Sequence, residues 1–182
     1  QLLVSCAAPQ STLAVVEVAS GRIVKKIAVG HTAMGPVVSS EGRLAYVCNR
    51  FDKDVSVVDL AAEKPVERIP VVREPVAAAL TPDGATLLVA NHLPYCRTDS
   101  LFMGEIASKL TFVDTPTRTA SHVELPSGSH SLRDVAISAD GRYAYVTHLL
   151  CNFELVPIQV DMGWANSNVV TVVDMKEQAL VN

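Results

Sequence analysis

Hydrophobic positions in this chain come in short runs closed by turns, and the runs return in one order. The run Gly42-Arg43-Leu44-Ala45-Tyr46-Val47-Cys48-Asn49 returns as Gly84-Ala85-Thr86-Leu87-Leu88-Val89-Ala90-Asn91, 42 residues later. It returns again as Gly141-Arg142-Tyr143-Ala144-Tyr145-Val146-Thr147-His148, after a further 57. Before each stands an apolar run that ends in a turn: Pro36 to Glu41, Pro75 to Asp83, and Leu132 to Asp140. After each comes a third run that closes on an acidic residue: Val55-Ser56-Val57-Val58-Asp59, Leu110-Thr111-Phe112-Val113-Asp114 and Val169-Val170-Thr171-Val172-Val173-Asp174. Leu13-Ala14-Val15-Val16-Glu17 has the same form. A fourth, more polar run follows at Ile23–Val29, Val66–Val71, Ala120–Leu125 and Gln178–Val181.

These runs alternate and are rich in β-formers, so they read as strands. The Gly after each acidic or polar turn residue accepts positive φ and marks a tight hairpin. No segment of helical length shows a 3.6-residue period, which excludes a parallel βαβ fold. Four hairpin-linked strands per unit of about 42 residues form one blade of a β-propeller. The expected fold is all-β: one domain over 1–182 of four-stranded antiparallel blades, about 3.5–4 blades in all. Blade 1 covers about 1–33 and lacks its first strand; blades 2, 3 and 4 cover about 34–72, 73–130 and 131–182. The first strand of each blade lines a central channel, where Ala77, Ala78 and Ala79 fit. The fourth is the solvated edge, with Lys25, Lys26, Glu67 and Arg68.

The Ala-Tyr-Val-Cys-Asn, Leu-Leu-Val-Ala-Asn and Ala-Tyr-Val-Thr-His runs, in register after a Gly turn, resemble the YVTN family of β-propeller repeats. The resemblance covers essentially the whole chain. It implies an exported or cell-surface protein of bacteria or archaea, built with seven blades. It also brings in relatives that are lactonases, and propellers of nitrous oxide reductase and haem d1 enzymes. A strand count near 15 is too small for seven blades, and a repeat array needs neighbours over its end faces. The chain therefore reads as about half a propeller, with the remaining blades supplied by sequence not seen here or by another chain.

Composition agrees with a packed domain: 49% of residues are hydrophobic and 19% charged. A net charge of −4 without a basic stripe gives no reason to expect nucleic acid. No apolar run approaches a membrane span of about 18 residues. Leu3-Val4-Ser5-Cys6 looks like a lipoprotein cleavage box, yet no basic region precedes it. Shifted by 42, Leu2 falls on Leu44 and Cys6 on Cys48, so the strand reading is preferred. Cys6 and Cys48 are then expected to be buried free thiols on neighbouring blades. The four cysteines form no Cys-x-x-Cys.

The period breaks at one connection. From Asn49 to Asp59 the spacing is 10; from Asn91 to Asp114 it is 23, and from His148 to Asp174 it is 26. The two inserts, at 92–109 and 148–168, fall between the second and third strands of blades 3 and 4. They share a face with the links between blades at 30–35, 72–74 and 127–134. His31, His92, His130 and His148 therefore project onto one face, and only His122 lies elsewhere, on an outer strand. Long loops on a rigid scaffold serve binding, so the expected ligand-binding set is His31, Arg73, His92, Arg97, His130, Arg133, His148, Trp164, Asn166 and Asn168. Trp164 with Asn166 and Asn168 suits a sugar or an amide-bearing partner; alternatively Trp164 caps its own loop and the Asn residues satisfy turns. His92, His130 and His148 are candidate metal ligands. Alternatively His92 and His148, at equivalent blade positions, each bond a neighbouring backbone. Cys96 and Cys151, in adjacent inserts, are a candidate disulfide if the compartment is oxidising.

Catalytic signals are thin. There is no Gly-x-Ser-x-Gly, and Ser129 and Ser131 are loop residues whose only evident carboxylate is Asp134. A lactonase-like ion would have Glu74, Asp134 and Asn91 to hold it. The first expectation is a non-enzymatic extracytoplasmic module, in the periplasm or at the cell surface. It would bind a protein, glycan or small-molecule ligand on the insert face, with no evident cofactor. The second is a lactonase-like hydrolase, or a redox propeller serving a divalent metal or a haem of a neighbouring module.

Overall fold

The chain folds, in a computed structural model that describes residues 1–95, 106–152, 157–163 and 165–181, into four antiparallel sheets. The first has three strands, β1 (Leu2–Cys6), β2 (Thr12–Glu17) and β3 (Arg22–Ala28). The second has β4 (Ala33–Val38), β5 (Leu44–Asn49), β6 (Asp54–Asp59) and β7 (Lys64–Pro70). The third has β8 (Pro75–Leu80), β9 (Thr86–Asn91), β10 (Lys109–Asp114) and β11 (Ala120–Glu124). The fourth has β12 (Ser129–Ile137), β13 (Tyr143–Cys151), β14 (Asn166–Asp174) and the two-residue β15 (Ala179–Leu180). Within each sheet, strands pair in chain order.

The local cause is a hairpin that recurs. Ser39, Thr81 and Ser138 each donate a backbone N–H to the carbonyl of Leu44, Thr86 and Tyr143 across the turn. Gly42, Gly84 and Gly141 sit at φ +69, +72 and +72, a region other residues adopt only with strain. In two of the three turns an aspartate fixes the corner. Asp83 accepts from the Thr81 hydroxyl and the Ala85 N–H, and Asp140 from the Ser138 hydroxyl and the Arg142 N–H.

Packing explains why the strands read as nearly continuous apolar runs. Successive side chains point to opposite faces, and the two middle sheets are covered on both. From β5, Ala45 and Val47 pack against Leu13, Val15 and Ile27 of the first sheet. Tyr46 and Cys48 turn the other way, onto Leu87, Val89 and Val113 of the third. From β9 and β10, Leu88, Ala90, Leu110 and Phe112 meet Leu132, Val135, Ala144, Val146 and Val173 of the fourth. The sheets therefore stack face to face in sequence, and β8 contacts both β4 and β12 at the inner edge.

The outermost faces differ. Tyr145 and Val170 of the fourth sheet are 43% and 50% exposed. The register gives their counterparts in the second sheet as Tyr46 and Val55, both core residues. On the first sheet, Leu2 and Val4 are likewise exposed, where Ala45 and Val47 of the second are buried.

Three expectations change. Val15 pairs with Leu3, while its counterpart Val57 pairs with Tyr46. Cys6 therefore falls on Asn49, one place past Cys48, because the turn that follows it is one residue longer. Cys6 is exposed, and only Cys48 is buried. The inserted segment at 148–168 is also not all loop. β13 and β14 pair without a break from Tyr143 to Cys151 and Asn166 to Asp174, so His148, Asn166 and Asn168 lie on strands. The rest of that segment includes a short helix, α1 (Pro157–Asp161). Ser129 and Ser131 likewise belong to β12 rather than to a loop.

Candidate functional site

Two edges of the stack carry different connections. One bears the hairpins at 39–43, 81–85 and 138–142. The other, here the connection edge, bears the turn at 50–53, the links at 29–32, 71–74 and 125–128, and both inserts. Backbone bonds knit these segments together. The Val71 N–H donates to the Lys53 carbonyl at 2.9 Å, and the His92 N–H to the Glu74 carbonyl at 2.8 Å.

Asn49 and Asn91 end the second strand of their sheets, His148 holds the same register position within β13, and each reaches a hydroxyl on the third strand. Asn49 donates to Ser56 Oγ and Asp54 Oδ1, and its own Oδ1 accepts the Gly30 N–H at 2.9 Å. A Cβ on Gly30 would collide with Asn49, Asp52 and Arg68, so only glycine permits this approach. Asn91 donates to Thr111 Oγ1 and the Lys109 carbonyl. Its buried Oδ1 has no partner; Val72 stands in the link where Gly30 stands before Asn49. His148 Nε2 meets Thr171 Oγ1 at 2.8 Å, and Nδ1 meets the Leu149 carbonyl at 3.0 Å. Nδ1–H therefore donates and Nε2 accepts, which leaves no nitrogen for a metal. Burial pushes the His148 pKa down.

His148 thus matches Asn91, and His92 lies one residue on. His92 Nδ1 bonds the Leu132 carbonyl at 2.9 Å, tying the third sheet to the fourth. His130 meets Ser131 Oγ at 2.9 Å and Asn166 Oδ1 at 3.2 Å, so two expected site residues come together there. Arg133, His148 and Asn168 line a recess of about 240 Å³ with Thr147 and Val170. That recess lies on the outer face of the fourth sheet. In the second and third sheets the same places are filled by packed core, and we assign the recess to sheet packing rather than to a ligand. His122 meets Thr111 Oγ1 on the outer strand. Arg97, Trp164 and Cys96 lie outside the described residues, and with Cys96 so does its pairing with Cys151. Among the described residues, no three His, Cys, Asp or Glu side chains are grouped to hold a metal. Glu74, Asp134 and Asn91 are each used locally: Glu74 by Arg50, Asp134 by the Val135 N–H, and Asn91 as above.

A larger groove, about 530 Å³, opens at the connection edge between the second and third sheets. It is lined by Arg50, Phe51, Lys53, Val71, Val72, Arg73, Glu74 and Tyr95. Arg50 Nε and a terminal nitrogen both donate to Glu74 Oε2, at 3.0 and 2.8 Å. The Arg50 guanidinium also lies 5.2 Å from the centre of the Phe51 ring. His31 meets that ring edge-on at 5.1 Å, so it props the groove wall. The His31 N–H and the Arg68 guanidinium hold the Asp52 carboxyl below its usual range. On the far wall, Lys109 Nζ sits 4.8 Å from the Tyr95 ring centre. Phe51 and Tyr95 nonetheless stay 51% exposed each.

Of this lining the sequence singles out only Arg73 as a ligand-binding residue, and Glu74 as an ion ligand. Arg50, Phe51, Lys53 and Tyr95 were missed. The break in the repeat marks the lengthened connections, whereas Phe51 sits in the short one. A phenylalanine among charged residues in a hairpin turn was the available signal.

Face-stacked, four-stranded antiparallel sheets in meander order, with inner strands converging, define a β-propeller fold. Among solved structures the chain is similar to hydrazine synthase of Kuenenia stuttgartiensis, at 22% identity and a TM-score of 0.54 over 94% of this chain and 58% of that one. It is similar to the tricorn protease at 17% identity and a TM-score of 0.60, over 94% of this chain and 16% of that one. The chain thus spans less than two thirds of either. No protein-family model matches the chain, and no curated protein matches it in sequence.

Proposed function

We propose that the chain is part of a YVTN-type β-propeller that works as a binding module, with the connection edge as its ligand face. The observation that carries this is the groove at that edge. It leaves two aromatic rings half exposed beside an arginine and a lysine on a chain whose net charge is −4. Exposed aromatic and arginine side chains on a rigid frame have the composition of interface anchors. The resemblance to exported repeat proteins supports an extracytoplasmic location, in the periplasm or at the cell surface. Further sheets, from flanking sequence or a second chain, would cover the faces of Tyr145 and of Leu2.

The test is a screen of the protein against a displayed peptide library and a glycan array. Recovered ligands should lose binding to a Phe51→Ala/Arg73→Glu variant and keep it with Arg43→Glu/Arg142→Glu at the opposite edge. Loss confined to the opposite-edge variant would reject the face.

A further inference from the structure

Resting on the face reading above, the chemistry of the groove between the second and third sheets narrows its ligand. The lining holds three cations, Arg50, Lys53 and Arg73, and one carboxylate, Glu74. Arg50 and Glu74 neutralise each other through a two-nitrogen contact, and the Glu74 side chain is only 13% exposed. That pair belongs to the floor of the groove. Arg73 approaches Glu74 no closer than 4.0 Å and is itself half exposed. Lys53 is exposed and makes no ion pair among those of the described residues. Two cations therefore stand over a neutral floor, on a protein that is acidic as a whole.

Such a site favours carboxylates, and it draws them by charge as well as by contact. Phe51, Tyr95, Val71 and Val72 add an apolar surface beside those cations. What the lining lacks among its described residues is equally informative. It has no Asn, Gln, Asp, Ser or Thr, and the Tyr95 hydroxyl is its sole uncharged polar side-chain group. Sugar hydroxyls need directional amide, hydroxyl and free carboxylate partners, and among the described lining residues the Tyr95 hydroxyl alone supplies one. Acidic and aromatic side chains on a peptide need the groups that are present.

We infer that this groove docks an extended segment of a partner protein in which aspartate or glutamate alternates with aromatic or large apolar residues. Acidic side chains of the segment pair with Lys53 and Arg73, and its apolar side chains cover Phe51 and Tyr95.

Fluorescence anisotropy tests this with a labelled octapeptide that alternates aspartate and phenylalanine. Three comparison probes are used: the same peptide with lysine for aspartate, with alanine for phenylalanine, and an oligogalacturonate of matching charge. The first peptide should bind, and each peptide comparison should bind about tenfold more weakly or worse. Lys53→Glu and Arg73→Glu should each weaken the first peptide about tenfold, while Lys26→Glu on the outer strand leaves it unchanged. Both groove residues are exposed, so an unchanged urea midpoint will show that the variants fold. Tighter binding of the oligogalacturonate, lost in Arg73→Glu, would overturn the peptide inference and keep the ligand face. Equal binding of the acidic and basic peptides, or no effect of either groove variant on any probe, would overturn both.

Discussion

The side chain six places into each second strand shows how one position is solved three ways. Asn49 satisfies both ends of its amide because Gly30 lets the link come within reach. Asn91 satisfies only its donor end. Asn49→Ala takes away the bonds it makes to the Gly30 N–H and Ser56 Oγ and leaves Asp54 only its ion pair with Arg68, and should lower stability by about 1–3 kcal/mol. Asn91→Ala removes an acceptor that is already unpaired, so it should cost less than Asn49→Ala; urea midpoints at equal m-value will compare the two. His148 adds a pH dependence. Burial lowers its folded pKa below the ordinary 6.5, so the unfolded chain takes the proton first. Its contribution is present above about pH 6.5, and is lost as pH falls from there through the lower folded pKa. His122 shifts in the same direction, also chiefly through burial. His148→Asn in a His122→Gln background should flatten the stability profile between about pH 5 and pH 7 relative to His122→Gln alone. An unchanged slope would contradict a buried neutral imidazole.

Strands were legible because their alternation is strong and their turns carry Gly at positive φ. Register was less so. In the first sheet the pairing of Leu3 with Val15 turns Cys6 to the exposed face of Leu2 and Val4, and the turn of different length conceals this in the residue count. The consequence is measurable. Cys6 is exposed, while burial pushes the Cys48 thiol up to about 12. A maleimide should label Cys6 in the native protein and Cys48 only after unfolding, read by peptide mass spectrometry; a Cys6 that labels only after unfolding would reject this register. The second insert shows the other limit. Polar residues such as Asn166, Ser167 and Asn168 look like loop, yet they continue a ladder whose partners Leu149, Leu150 and Cys151 are apolar. Pairing across strands, not local propensity, makes them strand. The candidate site was legible as an edge but not as a groove. Turn length drew attention to the inserts, whereas the groove comes from Phe51 and Lys53 in a turn of ordinary length meeting Arg73 of a link.

Across the whole molecule, three sheet-to-sheet interfaces repeat one design, and two outer faces present the same design uncovered by this chain. We expect Tyr145 to be protected from hydroxyl-radical modification in the full assembled protein, as Tyr46 is by the third sheet, and a reactive Tyr145 there would contradict the propeller account. The rigid stack also explains the placement of the groove. Val71 bonded to Lys53, and His92 to Glu74, hold turn, link and insert in one frame, so binding needs little reordering. Hydrogen exchange with and without the alternating acidic–aromatic peptide tests the central claim most directly. Slower exchange confined to 50–53, 71–74 and 92–95 is the predicted result; slowing instead at the opposite hairpins, 39–43 and 81–85, would contradict a ligand face at the connection edge.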